Sequence, residues 1–214
     1  MPHVGNDVVD LTNPAGIGKS RDIRFIRRVF TSAEKALIQG SANPDRMLWS
    51  LWAAKEAAYK AMRKSRPYVS SVPRSYCVVP WSREADSPLI GTVETPAGIA
   101  FARFFHEEKT VHAIAVTEHP VGFQEILWGV EATTDARDRP MSAVDNPSYL
   151  VREALIRRLS QGPDYGDVDM EIRRIEDVRG LGPPKLFIDG KCSNKEDISL
   201  SHDGNFVAYA CCWV

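Results

Sequence analysis

The sequence has few of the features that mark membrane, secreted or metal-rich proteins. No apolar run approaches the ~18 residues that a membrane-spanning helix needs, and the opening MPHVGNDVVDL lacks the charged and apolar regions of a signal peptide. Cysteine is scarce: the four residues have no metal-ligand spacing, and Cys211 and Cys212 lie in an apolar stretch typical of reduced core residues. We therefore expect a cytoplasmic protein that has no membrane partner.

The chain also lacks a basic excess. Its net charge at pH 7 is −1 over 214 residues, whereas a nucleic-acid-binding protein is expected to be basic. We therefore expect no nucleic-acid partner. The charge is unevenly spread, with 16 basic and 12 acidic residues in 1–120 and 11 basic and 16 acidic residues in 121–214. This asymmetry predicts two halves with different roles.

The pattern of apolar residues predicts an α+β protein. In the first half we expect a strand at 3–11, a basic helix at 19–30, a short helix from a capping box at 31–34 to Gly40, a long helix at 46–64, and strands at 75–80, 90–94, 98–106 and 111–117. A linker is expected at 120–145. In the second half we expect a helix between Asn146 and Gly162 and strands at 168–175, 185–188, 197–201 and 206–213, the last two joined by a hairpin at Asp203-Gly204.

Both halves show the same order of one long helix followed by strands. WAAKEAAYKAM in the first helix corresponds to LVREALIRRL in the second, and HAIAVTE corresponds to FVAYACC. The repeat predicts a pseudo-dimer of two similar halves, 1–119 and 120–214, each a long helix packed on a small antiparallel sheet. A half of ~100 residues is a normal size for such a unit.

Three charged residues of the long helix need partners. Lys55 falls in the middle of the apolar arc of the helix, and Glu56 and Lys60 lie one turn apart at its edge. On an ordinary helix Glu56 and Lys60 form an exposed ion pair, and Lys55 extends its stem to water. A helix this apolar is expected to be covered on most sides, where an unpaired charge is costly. A functional role for these residues is therefore the second interpretation.

The segment GIGKS at 16–20 has the ending of a phosphate-binding P-loop. Asn13 stands where the motif requires its leading glycine, and the basic helix explains Lys19 without a nucleotide. A P-loop NTPase or kinase is therefore a minor alternative.

The consecutive residues Ser201, His202 and Asp203 invite comparison with a catalytic triad. Neighbours on a strand point to opposite faces, whereas the members of a triad must converge. The triad interpretation is therefore rejected, and the default for His202 is a structural histidine. Asp7, beside glycine at the start of a strand, is by default a turn residue.

Taken together, four segments resemble the signatures of the 4′-phosphopantetheinyl transferases. They are GND at 5–7, FTSAE at 30–34, WAAKEA at 52–57 with Lys60, and ISLSHDG at 198–204. In the surfactin-type, pseudo-dimeric branch of that family the SHxG half comes first, so this chain resembles a circular permutation of it. The order GxD, KEA, SHx resembles the small holo-acyl-carrier-protein synthases, as do RFIRRVFTSAE and GNDVVDL.

The resemblance implies an enzyme that moves phosphopantetheine from coenzyme A to a serine of an acyl or peptidyl carrier protein, releasing 3′,5′-ADP. It implies Mg²⁺ held by Asp7 and Glu56, with Glu56 or a water on the metal as the base. Lys60, and less directly Lys55, are implied to bind the diphosphate. Ser201 and His202 are implied to contact the coenzyme A phosphates from the other half. One chain then holds one complete site, and a monomer is expected.

The sequence departs from the surfactin-type pattern at two places. Val9 stands where that branch has a third acid, so water is expected to complete the metal shell. A coenzyme A-binding Gly-Lys-Pro appears here as GPP at 182–184, and whether the adjacent Lys185 replaces the lysine stays open. A catalytically degenerate coenzyme A- or carrier-binding protein is the rival interpretation.

The basic helix is the expected surface for the carrier protein. Carriers of this kind present an acidic helix beside the modified serine, as the resemblance implies. Arg24, Arg27 and Arg28 lie within about one turn of each other and offer the complementary charge. The ordinary alternative is a solvated charged face that contributes little.

Overall fold

The computed structural model describes residues 2–80, 89–118, 125–133, 146–166, 168–177 and 180–213. Among these described residues, the first half contains three α-helices and five strands. These are β1 (Val4–Asp10), α1 (Ile23–Val29), α2 (Ser32–Gln39), α3 (Pro44–Ser65), β2 (Cys77–Pro80), β3 (Leu89–Thr95), β4 (Gly98–His106) and β5 (Thr110–Val116). The strands form one antiparallel sheet in the order β1-β5-β4-β3-β2.

In the described part of the second half there are one α-helix and six strands. These are β6 (Leu127–Ala132), α4 (Pro147–Leu159), β7 (Met170–Asp177), β8 (Gly180–Ile188), β9 (Lys191–Cys192), β10 (Glu196–Asp203) and β11 (Phe206–Trp213). They form two antiparallel sheets, β10-β11-β6 and β7-β8-β9. The α+β prediction is confirmed. None of the helices in the described ranges is long and apolar enough to cross a membrane.

The halves share a strand arrangement around their long helices. In each, the strand before the helix pairs with the last strand, β1 with β5 and β6 with β11, and that last strand pairs with the one before it. Helix α3 packs on β1, β4 and β5, and α4 packs on β10 and β11. This common arrangement is what a pseudo-dimer requires; the division at 119/120 itself stays a prediction.

Helix α3 lies unusually close to β1. Its face toward the sheet is made of fully buried alanines, Ala53, Ala54, Ala57, Ala58 and Ala61. A Cβ on Gly5 would stand only 1.9 Å from the carbonyl oxygen of Ala57, so only glycine fits this contact. The glycine of the GND motif therefore sets how near the helix lies to Asp7.

The two halves meet where β1 runs beside β10. Side chains of β10 accept hydrogen bonds from backbone N–H groups of β1, so they stand in for a neighbouring strand. The pairs are Val4 N to Asp197 Oδ2 at 2.7 Å, Asn6 N to Ser199 Oγ at 2.9 Å, and Asp10 N to Asp203 Oδ2 at 2.9 Å. This contact brings the outer edge of β1 to the end of β10 that carries His202.

Two predictions of secondary structure need correction. The basic helix begins later than expected, because Asp22 caps it by accepting from Phe25 N, and residues 19–21 form a separate 3₁₀ turn. Ile23, in the first turn of this helix, is 63% exposed. The predicted linker at 120–145 contains strand β6; its residues 120–124 and 134–145 lie outside the described residues.

The GIGKS segment does not have the structure of a free phosphate loop. The N–H groups of Gly18 and Ser20 donate to the Asp45 carboxylate at 2.6 and 2.8 Å, and the Lys19 ammonium pairs with Asp22 at 2.8 Å. An acidic side chain of the protein already occupies the donors that a phosphate would use. The P-loop alternative is therefore wrong.

Candidate active site

An acidic cleft of about 430 Å³ forms between α3, β1 and the end of β10. Asp7 and Glu56 line it from the first half, and His202 and Asp203 line it from the second. These four residues come from three distant segments of the chain. We call this the acidic cleft.

Asp7 lies beside the Lys60 ammonium group and the Asp203 carboxylate. Its Oδ1 accepts a hydrogen bond from Lys60 Nζ at 2.7 Å, and Lys60 also donates to the Asn6 carbonyl at 2.9 Å. Burial raises the pKa of Asp7; Lys60 opposes that shift, and the Asp203 carboxylate adds to it. The Lys60 charge therefore compensates Asp7 only in part.

Glu56 is the second carboxylate of the cleft. Burial raises its pKa, the charge of Asp7 raises it further, and Lys60 lowers it. Two carboxylates thus face one ammonium group, and Asp203 adds a third negative charge nearby. Carboxylate oxygens with excess negative charge are the donor set that a hard divalent cation such as Mg²⁺ prefers.

The carboxylates do not form a complete metal cage. Within the described ranges, no group of three or more His, Cys, Asp or Glu side chains is arranged to hold a metal ion. Mg²⁺ commonly takes one or two carboxylates and fills its other positions with water and substrate phosphate. Asp7 and Glu56 therefore fit a Mg²⁺ ion that shares its shell with a phosphate-containing substrate.

Ser201 and His202 point to opposite sides of β10, as alternation requires. His202 is exposed and lines the acidic cleft. Ser201 is buried, and its Oγ accepts from Asn6 Nδ2 at 3.0 Å in the contact between the halves. The implied phosphate contact of Ser201 is corrected: its hydroxyl stabilises the interface and does not reach the cleft.

Lys55 is a structural residue. Its ammonium is 1% exposed and donates to Glu34 Oε2 at 2.8 Å, to the Val29 carbonyl at 2.9 Å and to the Pro73 carbonyl at 3.1 Å. These contacts use all three donors of the group. The implied diphosphate contact of Lys55 is therefore corrected, because no donor is left for a ligand.

A second cleft, of about 340 Å³, adjoins the first along α3. Cationic side chains line it: Lys60, Arg63 and Lys64 from the helix and Arg174 from β7. The segment 180–184, which contains the GPP sequence, forms another wall. We call this the basic cleft. Glu56 lines the basic cleft too, so this residue belongs to both clefts.

Two further lysines lie near the basic cleft, Lys64 and Lys185. Lys64 is largely buried and donates to Asp197 Oδ2 at 2.7 Å and to the carbonyls of Val4 and Ile198. It therefore holds the two halves together beside the cleft. Lys185 lines neither cleft. Burial lowers the pKa of Lys64, and the Asp197 carboxylate opposes that shift. The charge of Lys185 makes a smaller contribution in the same direction as burial.

Aromatic side chains close the acidic cleft on the side of α1. Phe25, Trp49 and Trp52 line it and contact one another, with ring centroids about 6 Å apart. Arg24, Arg27 and Arg28 lie on α1 and are exposed. The helix that presents these arginines to solvent therefore also supplies an aromatic wall of the cleft.

Sequence reasoning missed three residues that line the clefts. Asp203 was treated as a hairpin residue, although its carboxylate also faces Asp7. Arg63 follows the recognised motif by one turn, and Arg174 lies on a strand that has no motif. Only the pairing of Arg174 with Pro184 across β7 and β8 places it beside the GPP segment.

Comparison with known proteins agrees with this arrangement. Residues 3–117, more than half of the chain, match the family model described as the 4′-phosphopantetheinyl transferase superfamily. The matched range contains Asp7, Glu56 and Lys60. A search of curated proteins found no match.

A search of solved structures finds the holo-[acyl-carrier-protein] synthase (AcpS) of Thermotoga maritima. It is 17% identical to this chain, with 85% of this chain and 82% of that chain covered, at a TM-score of 0.41. That similarity is too low to carry an argument about function. The family match covers more than half of the chain and includes Asp7, Glu56 and Lys60, and it shows that the chain belongs to the 4′-phosphopantetheinyl transferase superfamily.

Proposed function

We propose that the chain transfers phosphopantetheine from coenzyme A to a serine of an acyl or peptidyl carrier protein, with Mg²⁺, and releases 3′,5′-ADP. The transferase class follows from the superfamily; the metal, the product and the residue roles are our proposal. The observation that carries these roles is the convergence of Asp7, Glu56 and His202 on one cleft.

The reaction is a displacement at phosphorus. The serine oxygen forms a bond to the phosphorus that carries pantetheine, and the bond from that phosphorus to the bridging diphosphate oxygen breaks. The leaving group is 3′,5′-ADP, and the serine proton must be accepted by a base. Glu56 is our candidate for that base, because its carboxylate lies where the two clefts join.

The negative charge of the diphosphate needs compensation in this site. Bound Mg²⁺ supplies part of it by neutralising phosphate oxygens. Asp7 and Glu56 would hold the ion. Lys60, already 2.7 Å from Asp7, can turn a donor toward the diphosphate as a mobile point charge. His202 offers a further donor from the opposite wall.

The carrier protein is proposed to dock on α1. The exposed Arg24, Arg27 and Arg28 would attract an acidic partner and raise its rate of encounter. Because α1 also supplies Phe25 to the wall of the acidic cleft, a carrier on this helix would place its serine close to Glu56. Both walls of the acidic cleft come from one chain, which supports a monomeric enzyme.

A direct assay tests this proposal. The protein is incubated with coenzyme A, Mg²⁺ and apo-carrier proteins, and the carriers are analysed by mass spectrometry. Our proposal predicts carriers that have gained one phosphopantetheine, together with 3′,5′-ADP in equal amount. A matched reaction with the Asp7→Ala variant should show neither product.

A further inference from the structure

The turn between β10 and β11 is held against the end of β1 by two carboxylates that bind in opposite directions. Asp203, at the end of β10, accepts a hydrogen bond from Asp10 N at 2.9 Å. Asp10 in return accepts from the backbone N–H of Asn205 at 3.0 Å and from the Nδ2 of that residue at 3.3 Å. Each half therefore supplies an acid that binds the backbone of the other. We call this pair of contacts the carboxylate clamp.

Asp10 borders the acidic cleft, but the protein itself uses all the acceptor positions of its carboxylate. Oδ2 takes the two donors of Asn205, and Oδ1 takes the Thr12 N–H at 2.8 Å and the Thr12 hydroxyl at 2.5 Å. An ionised carboxylate offers about four lone-pair positions. Asp10 is 2% exposed; burial by itself would raise its pKa, and the hydrogen bonds from Thr12 and Asn205 outweigh burial and lower it. Asp10 is therefore suited to hold protein groups rather than a metal ion or a substrate.

Gly204 allows the carboxylate clamp to close. Its φ is 51°, and an added Cβ would lie only 2.3 Å from Asp10 Oδ2. Elsewhere in the described ranges, the glycines with a positive φ would have no atom within 4 Å of an added Cβ; these are Gly18, Gly98, Gly180 and Gly190. The close approach is therefore a property of this turn and not of left-handed glycines in general.

The carboxylate clamp lies between the two walls of the acidic cleft. On β1 it is three residues from Asp7, and on β10 it is next to His202. Further contacts between these strands lie nearer the start of β1, at Val4 and Asn6. Those contacts can keep the halves together without the clamp, whereas the clamp determines how the walls are spaced beside the cleft.

We propose that Asp10 is a positioning residue for the transfer reaction, and that its clamp sets the distance between Asp7 on one wall and His202 on the other. The inference rests on the proposed function. Groups on opposite walls act together only at the correct separation, and a displacement of about 1 Å can slow a reaction by about 100-fold. Asp10 needs no contact with either substrate, because it acts through His202.

The variant D10A removes the acceptors that hold the turn. T12V is the matched control, because it removes a hydroxyl donor from the other oxygen of the same carboxylate and leaves the turn contact in place. Hydrogen exchange of the Asn205 N–H, measured by NMR, should be about tenfold faster or more in D10A and unchanged in T12V. Melting curves should show that both variants stay folded. Unchanged exchange at Asn205 in D10A would overturn the inference.

A double-variant cycle shows whether Asp10 acts through His202. D10A and H202A should each lower kcat/KM for transfer by about tenfold or more. The double variant should be no slower than the more damaged single variant, because displacement of His202 no longer matters once its ring is absent. T12V should keep the wild-type kcat/KM. Losses that multiply in the double variant would show a purely structural role and would overturn the inference.

A second variant opens the clamp by a different cause. G204A places a methyl group against Asp10 Oδ2, whereas G190A places one at a left-handed turn that has no neighbouring atom. G204A should therefore lower kcat/KM, and G190A should not. Wild-type kcat/KM in both G204A and a folded D10A would overturn the inference.

Binding of coenzyme A separates this inference from the proposed function. If the wild type modifies no carrier, the proposed function fails, and the same cycle of D10A and H202A is measured on the Kd for coenzyme A with Mg²⁺ by calorimetry. Losses of affinity that do not multiply support the inference, and losses that multiply, or their absence in D10A, overturn it. A wild type that also fails to bind coenzyme A would overturn both proposals.

Discussion

Asp7, near the start of the chain, and His202, near its end, line the same cleft. The contact between β1 and β10 produces this proximity, because β10 side chains bind the outward N–H groups of β1 at three positions. The acidic cleft is therefore lined from both halves: the first contributes Asp7 and Glu56, and the second contributes His202 and Asp203. That one chain contains one complete site stays a prediction.

The carboxylates of the acidic cleft should be essential. Asp7→Ala and Glu56→Ala should each abolish transfer, because each removes a ligand for the ion that neutralises the diphosphate. Both variants should unfold cooperatively, because neither side chain lies in the hydrophobic core. Transfer rates by mass spectrometry and melting curves check the two statements.

A matched control is available on the other long helix. Glu153 is exposed on α4, in the position that corresponds to Glu56 when the two helices are aligned. Glu153→Ala should retain wild-type transfer. If Asp7→Ala or Glu56→Ala kept full activity in the presence of a chelator, the metal assignment would be wrong.

Removal of Lys55 should affect stability rather than the chemistry. Lys55→Ala leaves the Glu34 carboxylate buried and unpaired, so we expect a loss of about 3–5 kcal/mol in the free energy of unfolding. The double variant Lys55→Met, Glu34→Gln removes both charges, keeps an acceptor for the N–H groups of Thr31 and Val78, and should recover part of that loss. Urea titration measures both effects.

The same variants test whether Lys55 has a role in the reaction. In the folded double variant, KM for coenzyme A should stay close to the wild-type value, because Lys55 has no free donor for a ligand. A large rise in KM in a variant that is still folded would restore Lys55 to the coenzyme A site.

The buried histidine of β5 should make the protein sensitive to acid. Burial lowers the pKa of His112 to about 3, with a smaller contribution from Lys60, and its Nε2 accepts from Asn6 Nδ2 at 3.2 Å. The unfolded chain binds a proton at this position near pH 6.5, whereas the folded chain does not. The contribution of His112 to the free energy of unfolding is therefore complete above pH 6.5, and it falls by about 1.4 kcal/mol per pH unit below that.

Unfolding titrations between pH 7 and pH 4.5 measure this slope. His112→Gln keeps an acceptor for Asn6 and removes the titrating group, so its stability should depend less on pH over that range. A slope equal to that of the wild type would show that other groups cause the acid sensitivity.

Charge reversal on α1 should weaken the encounter with the carrier. Arg24→Glu with Arg28→Glu should raise the apparent KM for the carrier and flatten its dependence on salt, because long-range attraction is screened by ions. KM for coenzyme A should hardly change. Loss of coenzyme A binding with carrier binding preserved would assign these arginines to the nucleotide site.

Much of the fold could be predicted from local sequence patterns. The capping box of Thr31 and Glu34, the Asn146 cap of α4 and the Gly204 turn each have a local physical cause, and all are present. Strand β6 was missed because its sequence, LWGVEA, shows no clear alternation and includes a glycine. It is stabilised by pairing with β11, which is distant in sequence.

Cleft residues that belong to a motif could be predicted from the sequence. Tertiary contacts determine where the other residues lie, and these could not be predicted. Asp7, Glu56 and His202, which the motifs marked, line one cleft, and their roles there stay predictions. Lys55 does not line the cleft, because it pairs with Glu34, which lies on another helix and also caps α2. Ser201 does not line the cleft either, because its hydroxyl lies on the face of β10 that contacts β1. No local signal marked Arg174.

The transfer reaction itself tests the central claim most directly. Wild-type protein, coenzyme A and Mg²⁺ are incubated with a panel of apo-carrier proteins, and intact masses are recorded with and without a chelator. We predict that at least one carrier gains a single phosphopantetheine on its serine, and that the chelator or Glu56→Ala prevents it. If every carrier in a broad panel stays unmodified while the protein binds coenzyme A, the chain is a non-catalytic binding protein and the account is contradicted.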